Sequence, residues 1–122
     1  MKKKLTKKER KEIYNKYNGH CAYCGRAINF NNFHVDHLKS VREIGGTMDN
    51  PENDTINNMM PSCITCNIRK GSGTLEYFRK EMESSVDRLR KYSSAFRFAE
   101  LYSQVKVTPK DIVFFFELFK NN

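Results

Sequence analysis

Two Cys-x-x-Cys pairs, Cys21-Ala-Tyr-Cys24 and Cys63-Ile-Thr-Cys66, constrain this chain more than any other feature. Four thiolates delivered as two tight bites make a tetrahedral site for zinc, and Gly25 follows the first pair where a knuckle turn wants a residue without a Cβ. Reduced buried cysteines and a redox pair are the competing readings. The stretch between the pairs, residues 25–62, far exceeds the roughly 15 to 20 residues of a simple four-cysteine ribbon, so something is inserted between the knuckles. A closed four-thiolate site keeps no open position, so this zinc would contribute folding energy and no chemistry.

A chain of 122 residues is long enough for one core and too short for two independent ones, which makes residues 1–122 a single expected domain. With 39% hydrophobic and 30% charged residues it reads as globular, not disordered. The formal charge of +8 is concentrated at the start, where Lys2, Lys3, Lys4, Lys7, Lys8, Arg10, Lys11 and Lys16 face only Glu9 and Glu12. That surplus suits a polyanion, either nucleic acid or an anionic membrane surface, and equally suits a plain solvated face. No run of eighteen apolar residues occurs and no apolar segment follows the basic start, so neither a membrane span nor a secretory signal is expected. The expected location is the cytoplasm, where the cysteines stay reduced.

Three regions follow from the patterning. Thr6-Lys7-Lys8-Glu9 matches a capping box that opens a basic helix over about Lys7 to Tyr17, stopped by Asn18-Gly19, so 1–19 forms a basic N-terminal unit. Residues 20–73 lack helical periodicity and are rich in Asn and Gly, with a strand-like piece from Phe33 to Leu38 and a short helix that Ser62 can cap. Residues 74–122 form a helical extension. Thr74 caps a helix with Leu75, Phe78, Met82, Val86 and Leu89 on one face, and Ala95 to Val105 continues as helix. Thr108-Pro109-Lys110-Asp111 predicts a closing helix presenting Ile112, Phe115, Phe116 and Phe119, a packing surface for this chain or for a second copy in a homodimer.

The insert contains His34-Val-Asp-His37. Taken alone it fits a metal site, a general base beside a metal ligand, or a strand whose polar residues face water. His34 and Asp36 share a face on a regular strand, and a solvated histidine is the simplest reading of His34. His20, next to Cys21, reads as a surface residue.

From Asp36 onward the chain offers Asp36-His37-Leu-Lys39-Ser, then Gly45-Gly46, then Asn57-Asn58-Met-Met-Pro-Ser-Cys63-Ile-Thr-Cys66-Asn67-Ile-Arg69-Lys70-Gly. This ordered set resembles the HNH endonuclease family in the variant that ends in Asn, with Asn58 nine residues before Asn67 and the knuckle cysteines many members carry. The likeness covers about half of the chain, from near Tyr17 to Gly73. It implies an α+β fold: a ββα-metal core clamped by the four-cysteine zinc site and flanked by the N-terminal basic helix and C-terminal helices. It further implies His37 as the general base that activates water, Asp36 and Asn67 as ligands of a catalytic cation, and Asn58 as a brace for the loop orienting His37. Lys70, or Arg69, would face the phosphates, with Lys39, Lys7 and Lys8 as further DNA contacts.

Histidine takes a proton near neutral pH, and oxygen donors favour Mg²⁺ or Mn²⁺ over zinc at the second site. The resemblance therefore implies hydrolysis of DNA phosphodiester bonds, by nicking or double-strand cleavage, leaving 3′-hydroxyl and 5′-phosphate ends. It suggests a phage, mobile-element or restriction setting, with a packaging or restriction partner. The reading from another class is a zinc-stabilised, non-catalytic nucleic-acid-binding module. Such a module would be expected to have lost one of Asp36, His37, Asn58 and Asn67, and all four are present.

Overall fold

The structure is a computed structural model that describes residues 4–119. The charged residues Lys2 and Lys3 lie outside that range. The chain forms two compact units: the residues up to Leu75 together with those from Val113 onward, and Glu76–Ile112. The fold is α+β.

In the first unit, helix α1 (Lys7–Asn15) starts at the expected capping box. Thr6 accepts from the Glu9 amide at 3.1 Å and the Glu9 carboxylate accepts from the Thr6 amide at 3.0 Å. The helix stops where Asn18 (φ 55°) and Gly19 (φ 78°) turn left-handed, and a Cβ on Gly19 would stand 2.9 Å from the Tyr14 hydroxyl. The inner face buries Ile13 against Phe33 and Met59, with Leu5, Tyr14, Ile28, Phe30, Val35 and Ile56 around them. Basic residues divide along this helix. Lys7 and Lys8 are exposed, while Arg10 stacks 3.9 Å from the Phe33 ring centroid and donates to the Phe33 carbonyl at 2.8 Å. Lys16 donates to the carbonyls of Ile56 and Met59, both at 2.6 Å, so it fastens the core and its charge is spent there.

The expected strand narrows to β1 (His34–His37), which pairs antiparallel with β4 (Met59–Ser62) in the register His34–Ser62, Asp36–Met60. Between them lie a small hairpin, β2 (Glu43–Ile44) and β3 (Thr47–Met48), and two 3₁₀ turns, Pro51–Asn53 and Ile56–Asn58. Gly45 and Gly46 supply the two positive φ angles (59° and 82°) of that hairpin's two-residue turn. Helix α2 (Ile64–Lys70) follows β4 directly and completes a ββα unit.

Its cap differs from expectation. Ser62 is fully buried in β4 and donates to the Cys63 carbonyl, and Cys63 is the N-cap, its Sγ accepting from the Cys66 amide at 3.4 Å. A sulfur that already faces the helix end does the work assigned to a hydroxyl.

The Phe-rich tail also departs from the sequence reading. Residues 104–114 are not helical and only α6 (Phe115–Leu118) is, so the capping box at Thr108 opens no helix. The amides of Phe115 and Phe116 instead donate to Tyr23 and Ala22 carbonyls at 3.0 and 2.8 Å, fixing the tail to the first knuckle. Its rings meet this chain's own aromatics: Phe114 and Phe116 against Tyr23, Phe119 against Tyr17, Phe115 against His20. These rings pack within the chain, and His20 is half-buried beside Phe115.

In the second unit, the long helix expected after Thr74 is broken at Ser84 and again at Ser93, giving α3 (Leu75–Glu83), α4 (Ser85–Tyr92) and α5 (Ser94–Leu101). Ser93 ends one helix and caps the next, accepting from the Phe96 amide at 3.1 Å. Arg90 grips Glu100 through two bonds of 2.9 and 2.6 Å, and Arg88 pairs with Glu81 at 2.8 Å. These arginines are engaged by carboxylates of their own unit. No helix among the described residues is long and apolar enough to cross a membrane.

Candidate active site and metal centre

The four cysteines converge. The Sγ atoms of Cys21, Cys24, Cys63 and Cys66 all lie within 4.8 Å of one another. The first pair is set by a knuckle in which the Cys21 amide donates to Arg26 O (2.8 Å) and the Gly25 amide to Cys21 O (3.0 Å). Gly25 has φ 77°, as the turn requires, and a Cβ there would press 2.8 Å from the Phe115 ring. The second pair sits at the cap and first turn of α2. A hydrogen bond from Cys66 draws the Cys21 thiol down to about 4, and the same bond pushes the Cys66 thiol up. Four sulfurs at this spacing suit zinc.

The other constellation opens off the same ββα unit. Asp36, His37 and Asn67 line one cleft of about 280 Å³, together with Ser40, Arg42, Glu43 and Ser72. Asp36 and His37 come from the end of β1, and Asn67 from the middle of α2. Asp36 is buried. Its Oδ2 accepts from the Tyr23 hydroxyl at 2.5 Å and pairs with the Lys70 ammonium at 3.0 Å. Burial first, and then the Asp36 charge, hold the Tyr23 phenol well above its ordinary range, so it stays protonated and donates.

Lys70 corrects an expectation. Its side chain is fully buried, with its ammonium on Asp36 and on the His37 carbonyl (2.9 Å), because α2 points it back across β1. It does not face solvent. Arg69, Lys39, Lys7 and Lys8 are exposed.

Asn58 ties two loops together. Its Oδ1 accepts from the Lys39 amide at 2.9 Å, and its Nδ2 donates to Lys39 O (2.8 Å) and Asn53 O (2.7 Å). The residues just after His37 are thereby clamped to the loop before β4. His34, read from sequence as a solvated strand residue, is half-buried with its Nδ1 3.4 Å from the Asn67 amide nitrogen.

Sequence reasoning passed over Tyr23 and Asp54. Tyr23 lies inside the first Cys-x-x-Cys, where the thiolates absorb all attention, yet its hydroxyl reaches the buried carboxylate. Asp54 lies in a loop with no periodicity, and its Oδ1 is 2.8 Å from His37 Nε2.

Comparison with known proteins agrees with this geometry. A family model described as HNH endonuclease matches residues 21–73. The fold is similar to the crystal structure of the Type II-C Cas9 enzyme from Actinomyces naeslundii, with a TM-score of 0.51 and 16% identity. That similarity covers 86% of this chain and 13% of the Cas9 chain, so this chain spans a small part of that enzyme's length. No curated protein matches the sequence. The cysteine quartet, the ββα unit and the family match coincide on the same residues, and residues 21–73 are a domain of the HNH endonuclease family.

Proposed function

We propose that the protein is a metal-dependent endonuclease that hydrolyses DNA phosphodiester bonds in the cleft formed by Asp36, His37 and Asn67. The observation that carries this reading is their convergence on one open, polar-lined cleft while Asn58 clamps the loop leaving His37. In this reading His37 accepts the proton of the attacking water. Asn58 keeps the imidazole from drifting, and Lys70 with Tyr23 hold the Asp36 carboxylate in place.

The donor set fits a hard divalent cation. Tyr23 and Lys70 both engage Oδ2 of Asp36, and Asn67 brings an amide to the same cleft wall. Asp36 and Asn67 would hold Mg²⁺ or Mn²⁺, which when bound polarises the scissile phosphate and steadies the departing 3′ oxygen. Exposed Arg69, Lys39, Lys7 and Lys8 supply affinity for the DNA backbone without reading sequence. One cleft cuts one strand, so a monomer would nick and a dimer would make paired cuts.

The test is a supercoiled-plasmid assay with wild type and His37→Ala in Mg²⁺, Mn²⁺ or EDTA. Metal-dependent conversion to open-circle or linear DNA that vanishes in the variant supports the reading. Binding of DNA with no conversion in any metal would favour a non-catalytic binding module.

A further inference from the structure

We infer that Asp54 is the positioning residue of His37, fixing which ring nitrogen carries the proton and leaving Nδ1 as the basic atom. The proposal rests on the reading of His37 as the general base. Asp54 Oδ1 lies 2.8 Å from His37 Nε2, and the two side chains are only 7% and 12% exposed. A carboxylate can only accept, so in the neutral imidazole the Nε2 proton is donated to Asp54. The lone pair is then on Nδ1. His37 lines the cleft and Asp54 does not, so the carboxylate acts through the ring.

The loop carrying Asp54 is built to hold it still. The Asp54 amide donates to Pro51 O at 3.1 Å, closing the first 3₁₀ turn. Immediately before it, the Asn53 carbonyl accepts from Asn58 Nδ2 (2.7 Å) and the Asn53 side chain donates to Ser40 O (3.0 Å). The other end of Asn58 is on Lys39, two residues beyond His37. One asparagine therefore indexes the base and its carboxylate to each other. As the water's proton arrives on Nδ1 the ring becomes a cation, and the Asp54 charge stabilises it without moving.

The experiment compares zinc-loaded wild type with Asp54→Asn, which preserves shape and an acceptor oxygen but removes the charge, and with Asp54→Ala. In wild type the ¹⁵N-coupled His37 Nε2 proton should resonate far downfield and exchange slowly. It should move upfield in Asp54→Asn and disappear in Asp54→Ala. In plasmid cleavage, kcat should fall at least about tenfold in Asp54→Asn and further in Asp54→Ala, with KM unchanged. Thermal melting of Asp54→Asn should match wild type. An unshifted Nε2 proton in Asp54→Asn, or wild-type kcat in that variant, would overturn the proposal. If wild type itself cleaves nothing while the proton shifts as described, the Asp54–His37 linkage stands and only the nuclease reading fails.

Discussion

Two side-chain constellations grow from one short helix, and they are opposites. At the cap and first turn of α2, Cys63 and Cys66 face a ring of four sulfurs that closes on itself. One residue further, Asn67 turns to an open cleft of oxygens and nitrogens, and Lys70 at the end of the helix fixes Asp36 on its floor. Adjacent residues on a helix are rotated by about 100°, which is enough to send Cys66 and Asn67 to different chemistry. The soft, closed set of sulfurs suits a permanent structural ion, and on the function proposed above the cleft would take an exchangeable one. The first then supplies rigidity that the second uses.

The comparison breaks most severely if the sulfur site is opened. Cys63→Ser should unfold the ββα unit and abolish cleavage together, since structural zinc in small domains is worth about 10–16 kcal/mol of apparent binding energy. Circular dichroism and metal content would show it, and a variant melting like wild type would dismiss the structural-zinc claim. His37→Ala should separate the two sites: cleavage falls by about 10²–10⁴-fold while zinc content and melting stay unchanged. A variant that cleaved normally would remove His37 from the mechanism.

Lys70→Met leaves Asp36 buried without its ion-pair partner and should cost about 3–5 kcal/mol in chemical denaturation. A loss below about 1 kcal/mol, as for an exposed pair, would contradict its burial. Tyr23→Phe removes a hydrogen bond to the same carboxylate, worth about 1.5–3 kcal/mol. The folded state holds the Tyr23 proton more tightly than the unfolded chain. Its stabilisation is therefore complete below the ordinary tyrosine range and is lost as pH rises above it. Wild type should lose stability at alkaline pH more steeply than Tyr23→Phe; equal slopes would refute that role. The smallest effect belongs to the surface. Replacing Lys7 and Lys8 by Gln should lower the slope of log affinity against log salt by up to about two, at roughly 0.9 per phosphate contact, with an unchanged slope clearing α1 of DNA contact.

Legibility in the sequence followed the same divide. The cysteines announce themselves because thiolate ligands come at fixed short spacings, and the Asp36, His37, Asn58 and Asn67 set is visible through order and spacing. The structure brings Asp36, His37 and Asn67 to one cleft and places Asn58 as its clamp. Residues that work through long-range side-chain contacts leave no local trace. Tyr23 meets Asp36 and Lys70 crosses to β1, and neither contact has a period or a motif. The tail failed differently. Its capping box is a valid local signal, but the rings of Phe114, Phe115 and Phe116 and two backbone amides are bound to the first knuckle, and tertiary packing outweighed propensity.

The Gly45-Gly46 turn carries a consequence for engineering. A Cβ built on either glycine meets nothing within 4 Å, and the hairpin residues around them are largely exposed. Asn58 closes the loop behind the hairpin, so the chain excursion from Ser40 to Asn50 is anchored at its base and unburdened at its tip. Extra residues at such a tip cost little, since each doubling of a flexible loop adds only about 0.6 kcal/mol of closure entropy. Arg42 and Glu43, at the hairpin's foot, line the cleft. A grafted segment at the tip would thus be delivered beside the cleft, making this turn a socket for an added recognition element.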